Sequence, residues 1–136
     1  MKKLLVLSVF AFLLCTTTSI AQNSWGSWRT TDCLKGLDFR VKRGDYNSYA
    51  KKYKWHVEFR NRYEKNIHFN TIAVSPERRS EIRSSGKTTS RLHADANGGT
   101  VQTYFLIDAS SSIYVHINKI RINDKDYGVD YYDCDN

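Results

Sequence analysis

His56, Glu58 and Arg60 fall at every second position of the run Tyr53–Tyr63, so on an extended chain all three project from one face. A base, a carboxylate and a phosphate-binding cation side by side are the parts of phosphodiester cleavage: one His or Glu removes a proton, another His returns it, and Arg holds the phosphate. His68 or His116 on neighbouring strands would supply the second imidazole, and a net charge of +7 suits RNA. Plain alternation on a solvent-facing strand produces the same set, and nothing in one strand fixes what lies beside it on the next. A small secreted basic nuclease using His56, Glu58 and Arg60 is therefore the alternative reading.

Metal chemistry has less to work with. His56/Glu58 and His116/Asn118 are i, i+2 pairs, but zinc needs three or four converging ligands, and no close His/Cys cluster provides them. Asp124, Asp126 and Asp130 are spaced like part of a calcium loop, yet the glycine an EF-hand requires at its sixth position is Val129. No metal site and no cofactor is expected.

Aromatic residues interleaved with cations point to binding instead. Tyr46, Tyr49, Tyr53 and Trp55 stand among Lys51, Lys52 and Lys54, with Trp25 and Trp28 ahead of them. Exposed rings stack on sugars or bases while amines neutralise anions. Tyr46, Tyr49, Lys51, Lys52 and Lys54, joined by Arg60 and Arg62, form the candidate ligand-binding set; the competing role for Trp55 and half the tyrosines is core or sheet edge. Charge is uneven in the same sense: residues 22–91 hold 16 Lys and Arg against 7 Asp and Glu, whereas residues 92–136 hold 3 against 7. A basic half attracts an acidic partner, such as a polyanionic glycan or an acidic protein surface at the cell envelope.

The elements that position these side chains read as strands. Trp55, Val57 and Phe59, then Ile67 and Phe69, alternate with polar residues, as do Leu37, Phe39 and Val41, with Gly44-Asp45 ending that strand. Tyr46–Lys52 reads as a loop or one helical turn. The runs Tyr53–Tyr63 and Lys65–Val74 are joined by a residue or two around Glu64, and Thr88–Ala96 and Thr100–Ile107 flank Asn97-Gly98-Gly99, a favourable hairpin turn. Ile113, Val115 and Ile117 alternate, then the apolar phase slips by one to Ile120 and Ile122, which a β-bulge near Asn118-Lys119 would correct. Ser75–Lys87 has Ile82 as its one apolar side chain between Pro76 and Gly86; a surface loop is expected in preference to a short helix. A last strand is expected around Tyr127–Tyr132. These seven short strands imply a single antiparallel, immunoglobulin-like all-β sandwich with Trp55, Val57, Phe59, Phe69, Phe105, Val115 and Ile117 at its centre.

Residues 1–21 read as a secretory signal peptide: Lys2 and Lys3, an apolar run Leu4–Leu14, and a small-residue exit ending at Ala21. Thr16, Thr17 and Thr18 end that run too early for a membrane span, and Leu14 before Cys15 argues against a lipid anchor. Cleavage after Ala21 leaves 115 residues: a lead-in, 22–35, and one domain, 36–136, secreted or held in the periplasm or cell envelope. Cys33 and Cys134 then remain, and in an oxidising compartment two cysteines imply one disulfide, worth up to about 4–5 kcal/mol by chain entropy.

The run Trp55-His56-Val57-Glu58-Phe59-Arg60-Asn61, followed by Ile67-His68-Phe69, resembles the strand pair "apolar-x-apolar-x-Asn … apolar-x-apolar" of immunoglobulin-like and fibronectin III-like domains in exported bacterial proteins. The layout is similar to that of small secreted proteins of Bacteroidota type. The antibody hallmark is missing, because Cys33 and Cys134 lie at the ends and do not bracket Trp55. The resemblance implies a non-enzymatic binding or envelope-assembly module and transfers no catalytic residue.

Overall fold

Strand periodicity becomes two sheets in a computed structural model that describes residues 24–31 and 34–122. In the larger sheet, β1 (Arg29–Thr30), β2 (Leu37–Asn47), β3 (Lys52–Asn61) and β6 (Thr100–Ile107) lie in the order β1-β2-β3-β6, and in the smaller, β5 (Ser90–Ala94), β4 (Ile67–Val74) and β7 (Tyr114–Ile122) lie in the order β5-β4-β7. Every pairing is antiparallel. The described residues form an all-β sandwich of seven strands. The leader expected at residues 1–21, Cys33 and Cys134 with the disulfide expected between them, Asp124, Asp126 and Asp130, and the strand expected around Tyr127–Tyr132 lie outside the described residues; β1 makes up the seven among those described.

Alternation sends Leu37, Trp55, Val57 and Phe59 of the larger sheet against Ile67, Phe69, Ala73, Ile117 and Ile120 of the smaller. Phe59 and Phe69 meet edge to face, their ring centroids 4.8 Å apart. Phe105 and Val115, expected in the same core, pack against its margin and are partly buried. The Trp55 ring is interior, and its Nε1–H donates to the Ala109 carbonyl at 2.8 Å.

Two expected hairpins are not hairpins. β3 and β4 lie in different sheets, and so do β5 and β6, so the connections at Glu64 and at Asn97-Gly98-Gly99 arch across the sandwich. The left-handed backbone expected of the second connection is present, with φ of 59° at Asn97 and 93° at Gly98. Asn61 is what turns both into arches. Its buried Nδ2 donates to the carbonyls of Lys65, Ala94 and Asp95 at 2.7, 3.2 and 3.0 Å, and its Oδ1 accepts from the Tyr63 N–H. The backbone of Asn61 also accepts from Gly98 and donates to Gly99.

Three further details set side-chain direction. β2 continues past the expected stop at Gly44-Asp45, because a bulge between Arg43 and Tyr46 absorbs the extra residue and pairing resumes at Tyr46↔Tyr53. Gly44 permits that close approach, since a Cβ there would sit 2.9 Å from the Lys54 carbonyl oxygen. In β7 the expected bulge is present: the register shifts opposite His68–Asn70, Lys119 takes φ 48°, and Ile120 returns to the core. Residues expected to form a loop are instead a 3-10 turn, Pro76–Arg78, running into helix α1, Arg79–Ser85. Ile82 is buried, which anchors so short a helix, and Gly86 caps it with φ 60° and an N–H bonded to the Ile82 carbonyl.

Phe59→Ala should cost about 3–5 kcal/mol in urea unfolding. A loss under about 1 kcal/mol would place Phe59 outside the core. Asn61→Ala, which strands three carbonyls, should cost about 2–4 kcal/mol. Asn61→Asp should be at least as damaging at pH 7, where the carboxylate faces those carbonyls, and should recover as acid protonates it. Equal stability of Asn61→Asp at pH 7 and pH 4 would show that the amide does not clamp the arches.

Candidate functional site

The outer face of the larger sheet carries His56, Glu58 and Arg60 together, as alternation requires, and the neighbouring strands divide it into two halves. Antiparallel register sets Asp38-x-Arg40 of β2 against Glu58-x-Arg60 of β3, so that Asp38 faces Arg60 and Arg40 faces Glu58. Each carboxylate therefore lies opposite a guanidinium. Asp38 accepts from Arg60 and Arg62 at 2.8 Å and from Thr30 Oγ1 at 3.0 Å, while Glu58 accepts from Arg40 and, at 2.9 Å, from Gln102.

Two tryptophans roof this half. The lead-in segment runs beside β2, held by the Gly26 N–H on the Val41 carbonyl. Trp28 then lies over the guanidinium groups of Arg40 and Arg60, at 4.5 and 4.3 Å from its ring centroid, and Trp25 lies 5.0 Å from Arg40. Burial by itself raises the Asp38 pKa, but the hydrogen bonds from Arg60, Arg62 and Thr30 and the Arg62 charge outweigh it and hold the carboxyl below its ordinary value. The carboxylate and guanidinium proposed for phosphodiester chemistry are thus bound to structural partners: Glu58 is 6% exposed, and Arg60 is shared between Asp38 and Trp28.

Toward the β2–β3 hairpin the same face is open. Lys42 and Tyr104 flank His56 on the two neighbouring strands, and Leu106 flanks Lys54. Lys54 Nζ lies 4.3 Å from the Tyr104 ring centroid, and the His56 ring is 6.4 Å from it. Tyr104 is 58% and Leu106 41% exposed. Among the described residues, Lys42, Lys52 and Lys54 have no carboxylate partner. His56 is drawn below the ordinary histidine pKa by burial, then by the charges of Lys54 and Lys42.

The candidate ligand-binding set is spread along the sheet. Lys51 and Lys52 are exposed in the hairpin, where Lys51 has φ 53°, and Tyr49 projects fully into solvent. Tyr46, half exposed, meets Tyr53 at 5.0 Å. Lys54 lies on the open face, whereas Arg60 and Arg62 are bound to Asp38 beyond it. Tyr104 was not in the set, because nothing in β6 marks it until pairing with β3 places it beside His56. For β2 and β3 a signal was available in the reversed charge order of Asp38-x-Arg40 and Glu58-x-Arg60; β6 offers no such charges.

A cleft of about 340 Å³ also opens between the sheets, with Phe39, Val41, Val115 and Ile117 in its walls and Arg29 and Arg79 at its rim. Among the described residues, no group of three His, Cys, Asp or Glu side chains converges as a metal site, and no helix is long and apolar enough to cross a membrane. No protein-family model, characterised protein or solved structure shows significant similarity to this chain.

A carboxyl whose folded pKa lies below its unfolded value of about 3.9 stabilises the fold at neutral pH and loses that contribution as pH falls through the folded value. Asp38→Asn should therefore lower stability at pH 7 and flatten its decline toward pH 3, measured by urea unfolding at each pH. Parallel curves for the variant and the parent would remove Asp38 from the acid response.

Proposed function

We propose that this protein is an exported, non-enzymatic binding module that holds a polyanionic glycan on the open half of its larger sheet. The supporting observation is the exposed Tyr104 ring and its neighbour Leu106 set among Lys42, Lys54 and His56. A sugar ring stacks on Tyr104 while sulfate or carboxylate groups meet the lysines, and the exposed Lys51 and Lys52 extend the cationic track toward the hairpin. Export rests on the leader-like residues 1–21. The nuclease alternative is weaker, because Glu58 and Arg60 would have to leave Arg40, Gln102 and Asp38 to reach a phosphate.

Binding through lysines releases counterions, so retention on heparin should fall steeply with salt, and the salt slope should drop by roughly one for each lysine removed. Lys42→Glu with Lys54→Glu should abolish retention at moderate salt with little change in thermal unfolding, and Tyr104→Ala should weaken it with an almost unchanged slope. A parent protein that passes through heparin at low salt would end the proposal.

A bound anion favours the imidazolium form of His56, so binding takes up a proton and affinity rises as pH falls from about 7 toward 5. His56→Gln should remove most of that rise in a titration followed by calorimetry. An unchanged pH profile would exclude His56 from the contact.

A further inference from the structure

Among the described residues each sheet has two edge strands, and three of these four carry charge. β1 carries Arg29, β5 carries Arg91 and His93, and β7 carries Lys119 and Arg121 with its bulge. Charges and bulges of this kind keep an unpaired edge from joining another sheet. β6 has neither. Its eight residues, Thr-Val-Gln-Thr-Tyr-Phe-Leu-Ile, hold no charge, proline or glycine, in a chain with 35 Lys, Arg, Asp and Glu residues. Among the described residues it pairs with β3 alone.

The direction of the backbone groups that β3 does not pair follows from one bond. The Asn61 N–H donates to the Gly99 carbonyl, so Gly99 is a hydrogen-bonded position toward β3, and the alternation of antiparallel pairs makes Val101, Thr103, Phe105 and Ile107 the same. Thr100, Gln102, Tyr104 and Leu106 therefore point N–H and C=O away from the sheet.

We propose that β6 pairs with β6 of a second copy of this chain, antiparallel about a two-fold axis at Thr103, joining two four-stranded sheets into one. This register sets Gln102 opposite Tyr104 of the other copy and Thr100 opposite Leu106, so every outward donor and acceptor from Thr100 to Leu106 gains a partner. A shift of the axis to Tyr104 would set Thr100 against Asp108 and leave fewer pairs. A second copy fits because this strand meets itself without a charge conflict, and Thr103 meets Thr103, a favourable cross-strand pair. The union also brings two Tyr104 side chains onto one continuous outer face.

Sedimentation over a concentration series, without polyanion, should show a dimer that dissociates on dilution. Gln102→Lys with Tyr104→Lys sets lysine against lysine twice and should give a monomer that still unfolds cooperatively. Gln102→Lys with Tyr104→Glu sets opposite charges together and should restore the dimer. Hydrogen exchange gives a reading that needs no variant: the Gln102, Tyr104 and Leu106 amides should gain protection on concentration, while Val101, Thr103 and Phe105 stay protected throughout. A parent protein that is monomeric at every concentration, or a lysine-paired variant that remains dimeric, would overturn the proposal.

Discussion

One buried carboxamide organises the end of the sandwich where the chain twice changes sheets. The Asn61 Nδ2 reaches carbonyls in both arches, at Lys65 and at Ala94 and Asp95, from the last position of β3. No apolar residue of that size can do this, because three carbonyls withdrawn from water need a donor. The crossing of β3 into β4 and of β5 into β6 determines which strands become neighbours. β6 returns beside β3 because its arch is tied to the end of β3, and the outer face follows from that adjacency.

The face then divides by what covers it. Near β1, opposite charges in reversed order on β2 and β3 neutralise one another, and Trp25 and Trp28 shield the guanidinium planes. Ion pairs at such a surface contribute modestly to stability when isolated, and their number here matters more for fixing the register of the two strands. Near the hairpin no such partners exist among the described residues, so lysines and rings remain available to a ligand. One sheet face is thus cross-linked by ion pairs at one end and left open, with exposed rings and lysines, at the other.

Much of the fold was legible because one-sided burial imposes a period of two. Trp55, Val57 and Phe59 declared the core face of β3, and the slipped phase after Ile117 declared the bulge at Lys119. The arches were not legible, because short connections, one of them with a glycine pair, look like hairpins until the bonds of Asn61, two of them to residues more than thirty positions away, are known. Helix α1 was hidden for a similar reason: a single apolar side chain, Ile82, anchors it, too few to set a period. At the site, alternation placed His56, Glu58 and Arg60 on one face but could not name Arg40, Gln102 or Tyr104 as their neighbours. Those contacts belong to other strands, and a period of two carries no information about cross-strand register.

The neutralised half of the outer face has an electrical consequence at distances where no contact exists. Asp38 and Glu58 cancel most of the field of Arg40, Arg60 and Arg62, whereas Lys42, Lys51, Lys52 and Lys54 gather at the opposite end without such compensation. The sheet face is therefore lopsided, with its positive pole at the hairpin. On the proposed reading, a polyanion is drawn most strongly to that end of the face. Orientation before contact raises the fraction of encounters that are productive, and added salt erodes that advantage once the screening length falls below about 10 Å. In the proposed binding the lysines then act before contact as well as within it, whereas the Tyr104 ring acts only once a sugar is stacked on it.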